Sequence, residues 1–182
     1  MDKTLISLLG GLTAMIGWGT SDFFANEASD KVGHIKALFF SQLAGLILIG
    51  LATIFFAKNL ILSPMLGFLI ILSGITYTFG YLLFYKAFEI GNVSIVSAVI
   101  NFQNIFIIFI SYFLFGQSLT TYQIPAIILI LSGTTLVSIN FNDLKKGNVS
   151  LVKGVKETLL ATIMFGIFFW PLNEYVSERA DW

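Results

Sequence analysis

From Ile90 to Asn142 the chain reads IGNVSIVSAVINFQNIFIIFISYFLFGQSLTTYQIPAIILILSGTTLVSINFN, a stretch without a single Asp, Glu, Lys or Arg. So long a run has no polar face to turn toward water. Shorter charge-free runs extend from Ala37 to Ala57 and from Asn59 to Tyr85. The whole chain is 57% hydrophobic and 11% charged, with a mean hydropathy of +0.89, against roughly 25% charged residues in an average soluble domain. A lipid bilayer is therefore the expected surroundings. Strands of membrane barrels alternate apolar and polar residues over about 10 positions, and no such alternation is visible. A helix satisfies every backbone N–H and C=O within its own segment, as hydrocarbon demands. The expectation is an all-α, polytopic membrane protein, and the uninterrupted apolar character of these runs carries it.

A bilayer is crossed by about 20 apolar residues, and six spans of that kind are predicted: Leu5–Phe24, Ile35–Ala57, Pro64–Tyr85, Ser94–Phe115, Tyr122–Ile139 and Thr158–Asn173. The run that opens this section must fold back once, and Gly116 to Thr121 is its turn. Pro125 then falls in the first turn of a helix, where a missing N–H costs little. Leu5–Phe24 is too long for the apolar core of a secretory signal and lacks its small-residue cleavage site, so it reads as a retained first helix. Gly10 and Ala14, Ser41 and Gly45, and Ser94 and Ala98 have the four-residue spacing that lets helices approach closely in lipid.

The polar stretch Asn140–Lys156, which holds Asp143, Lys145, Lys146, Lys153 and Lys156, divides the chain. Residues 1–140 read as a five-helix unit, 141–157 as a polar connecting loop, and 158–182 as the first helix of an incomplete second unit. Ala14 and Ala161, Gly19 and Gly166, Asn26 and Asn173, and Glu27 and Glu174 repeat at one fixed offset across that divide. Internal repeats are a plan of secondary transporters, and an odd number of helices per unit inverts the second copy. Alternate loops give Lys31, Lys36, Lys86, Lys145, Lys146, Lys153 and Lys156 to one side and Lys3, Lys58 and Arg179 to the other. The positive-inside rule then places the N-terminus outside.

Candidate functional residues are few. Asp22 is the only acid in the first span, where a carboxylate costs about 2.5–3.5 kcal/mol at the bilayer centre and less toward the ends. It is either a ligand for a cation or proton, or a marker of the helix exit. Tyr77, Tyr81 and Tyr85 recur every four residues and share one helix face. Such a face suits stacking and phenol hydrogen bonds to an amphipathic solute, or packing, with Tyr85 and Lys86 anchoring at the interface. Asn101, Gln103 and Asn104 place three amides within one turn, where they line a path or join helices. Trp18, between two glycines, is a pocket wall or a packing residue. No cysteine is present and the single histidine, His34, has no partner in sequence, so neither a metal site nor a His-based triad is expected. No phosphate-cradling glycine motif implies a cofactor, and a net charge of zero offers no basic surface to nucleic acid. An enzyme is not expected.

Three motifs carry a family resemblance. Gly17-Trp18-Gly19-Thr20-Ser21-Asp22-Phe23 is similar to the first-helix signature of EamA-type transporters in the drug/metabolite transporter superfamily. The segment Gly80-Tyr81-Leu82-Leu83-Phe84-Tyr85-Lys86-Ala87-Phe88-Glu89-Ile90-Gly91-Asn92-Val93-Ser94 resembles the third helix and its exit, and is the most specific match. Leu114-Phe115-Gly116-Gln117-Ser118-Leu119 completes the pattern. The resemblance spans Leu5–Asn140. It implies inverted five-helix repeats around a central cavity, cytoplasmic termini in opposition to the lysine count, and alternating-access movement of small metabolites or drugs across the cell membrane. The solute path would then involve Trp18, Asp22, Tyr77, Tyr81, Asn101, Gln103 and Asn104. Gln117 replaces the family's usual glutamate, and Asn104 stands where a proline is common, which predicts a straighter fourth helix. Four helices of the second repeat are missing, so the chain reads as a truncated transporter. A second copy or a partner chain would supply those helices, or the chain would serve as a nontransporting membrane scaffold.

Overall fold

A computed structural model describes residues 3–56, 63–138 and 153–179. The described residues form α1 (Lys3–Val32), α2 (His34–Phe56), α3 (Pro64–Ile90), α4 (Val93–Ile100), α5 (Gln103–Leu114), α6 (Gln123–Ser138), α7 (Val155–Ile163), a π-helical turn (Met164–Phe169) and α8 (Trp170–Ser177). No strand occurs among them. Among the described residues, four stretches are long and apolar enough to cross a bilayer: His34–Phe55, Pro64–Ile90, Val93–Leu114 and Val155–Ser177. The apolar part of α6, Gln123–Thr134, is shorter. α1 is 30 residues long, but Gly17, Gly19, Thr20, Ser21 and Asp22 dilute its apolar character. The protein is an all-α integral membrane protein.

Helix ends depart from the predicted spans where polar residues find partners. α1 runs past Phe24 to Val32 because Ala25 and Ser29 are buried against the bundle and Lys31 pairs with Glu27 one turn back at 2.6 Å. Gly33, with φ +84°, turns the chain directly into α2. His34, expected in a loop, is the first residue of that helix. α3 begins at Ser63, whose hydroxyl accepts from the Leu66 N–H at 3.2 Å, with Pro64 in the first turn. It continues past Tyr85 to Ile90. The polar loop 141–157 lies mostly outside the described residues.

The fourth span is interrupted. α4 stops at Ile100 and α5 starts at Gln103. The Asn101 side-chain amide donates to the Ser97 carbonyl at 2.6 Å, the acceptor that its own backbone N–H uses in a regular α-helix. That backbone N–H turns to Ala98 instead, at 3.3 Å, and Phe102 follows to Val99 at 3.1 Å. The sequence lacks a proline here, yet an asparagine competing for a helix carbonyl produces a comparable interruption.

α3 is the hub, packing against α1, α2, α4, α7, the π turn and α8. It runs antiparallel to the last helix: Gly80 meets Phe165, while Gly91, eleven residues further on, meets Lys153 and Gly154. In lipid the hydrophobic effect does not hold helices together, so close fit must do so. Fit is tight at this seam. A Cβ on Gly80 would lie 2.6 Å from the Phe165 ring, and one on Gly166 would lie 2.9 Å from Phe106 of α5. Phe88, Val96 and Ala161 are fully buried around it. Of the three small-residue pairs expected at helix contacts, Ala98 is buried and Ser41 meets Tyr85 of α3, whereas nothing lies within 4 Å of a Cβ on Gly10 or Gly45.

Candidate functional site

The tyrosine face of α3 is built by the four-residue repeat read in the sequence. Tyr77 and Tyr81 have ring centroids 4.5 Å apart, and Tyr81 and Tyr85 lie 6.1 Å apart. The opposing wall comes from the last helix, where Phe165 lies 5.0 Å from Tyr81 and Phe169 lies 4.9 Å from Tyr77. These separations and tilts match the preferred geometry of aromatic pairs. Tyr77 and Tyr81 remain half-buried. Tyr85 is buried, and its hydroxyl donates to the Ser41 hydroxyl of α2 at 3.2 Å, so its role is to join helices.

The π turn sets the opposing wall in place. Pro171 lacks an N–H and its ring crowds the carbonyl four residues back, which disfavours a regular α-helix there. The backbone N–H of Trp170 reaches five residues back to Phe165 instead of four. The widened turn presents Phe165 and Phe169 to α3 on one side and Gly166 to Gln103 and Phe106 of α5 on the other. Phe115 steadies the next turn, with its ring 5.5 Å from that of Trp170.

The seven candidate residues fall into two groups. Asp22, half-buried on α1, lies within electrostatic reach of Tyr81 and Tyr85. Gln103 flanks the π turn from α5, its carbonyl 3.0 Å from where a Cβ on Gly166 would be. Trp18 is 60% exposed and Asn104 is also exposed. The Asn101 amide is held by its own helix at Ser97. Phe165 and Phe169 were missed in the sequence. Their four-residue spacing, which mirrors that of Tyr77 and Tyr81, was the available signal.

A separate feature lies at the N-terminal end of α3. An open cleft of about 710 Å³ is lined by Met65 and Leu69 of α3, Leu114 of α5, and Pro171 and Tyr175 of α8, with Arg179 on its rim. The Arg179 guanidinium sits 3.5 Å above the Tyr175 ring and 3.7 Å from Glu178. None of the seven candidates lines this cleft. No group of His, Asp and Glu that could hold a metal ion occurs among the described residues.

Compared with known proteins, the chain is matched over residues 5–139 by a model of the EamA-like transporter family. No curated protein and no solved structure gives a match.

Proposed function

The chain belongs to the EamA-like transporter family, and on that premise we propose that it moves a small organic solute across a cell membrane by alternating access. The observation that carries this reading is the family match over the five-helix unit. The half-buried tyrosine face supports it, because a carrier needs groups that are neither lipid-facing nor locked in a dry core. Asp22, Tyr77, Tyr81 and Gln103 are the residues proposed to meet the solute. Trp18, Asn101 and Asn104 belong to the same proposal as residues that border the path when the helices shift. Stacking on the two phenol rings and charge pairing at Asp22 favour an amphipathic solute with a ring or a cationic centre.

Uptake into proteoliposomes tests this directly, with a defined mixture of small amines, carboxylates and neutral aromatics outside and mass spectrometry of the lumen. The expected result is saturable entry of at least one component, slowed by Asp22→Asn and by Tyr81→Ala. Entry no greater than in protein-free liposomes refutes the transport reading. Entry that both variants leave unchanged refutes the site.

A further inference from the structure

Polar contacts from three helices converge on the last turns of α3. Asn26 of α1 donates its side-chain amide to the Phe88 carbonyl at 3.2 Å. The backbone N–H of His34, at the start of α2, donates to Glu89 Oε2 at 2.8 Å, and the His34 ring nitrogen meets the same oxygen. Lys86 pairs with Glu157 of α7 at 3.5 Å. Beside them Gly91 and Gly154 bring two backbones together so closely that a Cβ on either would lie 2.6–2.7 Å from a carbonyl oxygen. This end of the bundle is shut.

Among the described residues, the other end of the same seam is open. Met65 and Leu69, which wall the cleft together with Pro171 and Tyr175, precede on α3 the two tyrosines that meet the same last helix, Tyr77 at Phe169 and Tyr81 at Phe165. At 1.5 Å per residue, Leu69 lies about 12 Å from Tyr77 along the helix, and Tyr81 about 12 Å from Glu89. The aromatic cluster thus sits midway between an open mouth and a closed end, on the seam between α3 and the last helix.

We propose that this seam is the solute route, with the cleft as its open mouth and the contacts of Asn26, His34 and Glu157 to α3 as the gate that closes the opposite side. The inference rests on the carrier reading above. A gate of this composition is physically apt: hydrogen bonds and a partly exposed ion pair are directional and short-ranged, and water replaces them when the helices part. A fully apolar seal has no such replacement. A carrier needs its two end states within a few kcal/mol of each other, and polar closure at the membrane surface keeps that gap small.

The chain contains no cysteine, so single cysteines report access without background. In proteoliposomes exposed to a membrane-impermeant maleimide on either face, Leu69→Cys at the mouth should label and Ala87→Cys, fully buried at the gate, should not. Adding Glu89→Leu with Glu157→Leu should raise labelling of Ala87→Cys about tenfold and lower that of Leu69→Cys, which corresponds to about 1.4 kcal/mol of lost gate contact. Lys86→Glu, which sets two carboxylates against each other at Glu157, should likewise expose Ala87→Cys, and adding Glu157→Lys to it should restore protection, which a merely unfolded protein would not do. Unchanged protection of Ala87→Cys in the double-leucine variant, or failure of Glu157→Lys to restore it in Lys86→Glu, overturns the gate. Absence of solute uptake alongside the expected labelling pattern refutes the carrier reading and leaves the opening and closing of the seam standing.

Discussion

Gly154→Ala tests the packing account at its tightest point. Gly154 has φ +81° at the start of α7, a region in which an L-residue pays about 1–2 kcal/mol. The added Cβ would also lie 2.7 Å from the Ala87 carbonyl oxygen and 3.2 Å from Gly91 Cα. Both are backbone atoms, and Ala87 is fully buried, so no side chain can swing aside. Overpacking of this kind costs about 1–3 kcal/mol. The two effects together predict a loss of about 2–5 kcal/mol. Reversible unfolding in mixed micelles of a mild detergent and dodecyl sulfate, followed by tryptophan fluorescence, measures it. Gly50→Ala is the internal comparison: it lies within α2 with nothing near a new Cβ, and it should gain about 0.5–1 kcal/mol. A Gly154→Ala protein within about 0.5 kcal/mol of the parent, the usual spread for an uneventful substitution, would refute the argument that the closed end depends on backbone contact.

Phe165→Ala should empty the notch opposite Gly80 and leave Tyr77 and Tyr81 without their wall. In a water-soluble core this truncation costs about 3–5 kcal/mol, but in lipid the transfer part vanishes and the void leaves about 1–3 kcal/mol, readable in the same micelle titration. The double change Gly80→Ala with Phe165→Leu should be less damaging than Gly80→Ala alone, because the smaller side chain yields the space; equal damage would place the clash elsewhere. Tyr85→Phe removes one hydrogen bond to Ser41 and should cost about 0.5–1.5 kcal/mol while leaving solute uptake unchanged. A large drop in uptake with unaltered stability would move Tyr85 from a helix-joining role into the solute path.

The helical membrane fold was legible because charge-free runs leave no other way to pair the backbone in lipid. The segment from Gly80 to Ser94, the most specific of the motifs, proves to be the hub turn of α3 together with the cap of α4. Asn92 accepts from the Ser94 N–H at 3.0 Å, and Gly91 admits the last helix. Partners distant in sequence were not legible. His34 stands alone between two spans in the sequence, yet it meets Glu89, 55 positions away. Ala25 to Val32 has the composition of a polar connector, yet it is helical because Ala25 and Ser29 are buried and Asn26 bonds to α3. Nor does the sequence alone show that the Asn101 amide competes for the Ser97 carbonyl and interrupts the helix there. The proline at 171 carried a signal for the widened turn, but only the antiparallel contact with α3 shows what that turn presents. Of the candidate site, the tyrosine stripe was visible as a period of four, while the opposing Phe165 and Phe169 needed the fold to bring them across.

Counterflow tests the central claim most directly. Proteoliposomes loaded with an excess of the solute identified by uptake are diluted into a trace of its labelled form. An alternating-access carrier exchanges one for the other, so the label should rise transiently above its equilibrium level inside, and Tyr81→Ala should blunt the rise. A monotonic approach to equilibrium without overshoot would contradict the account.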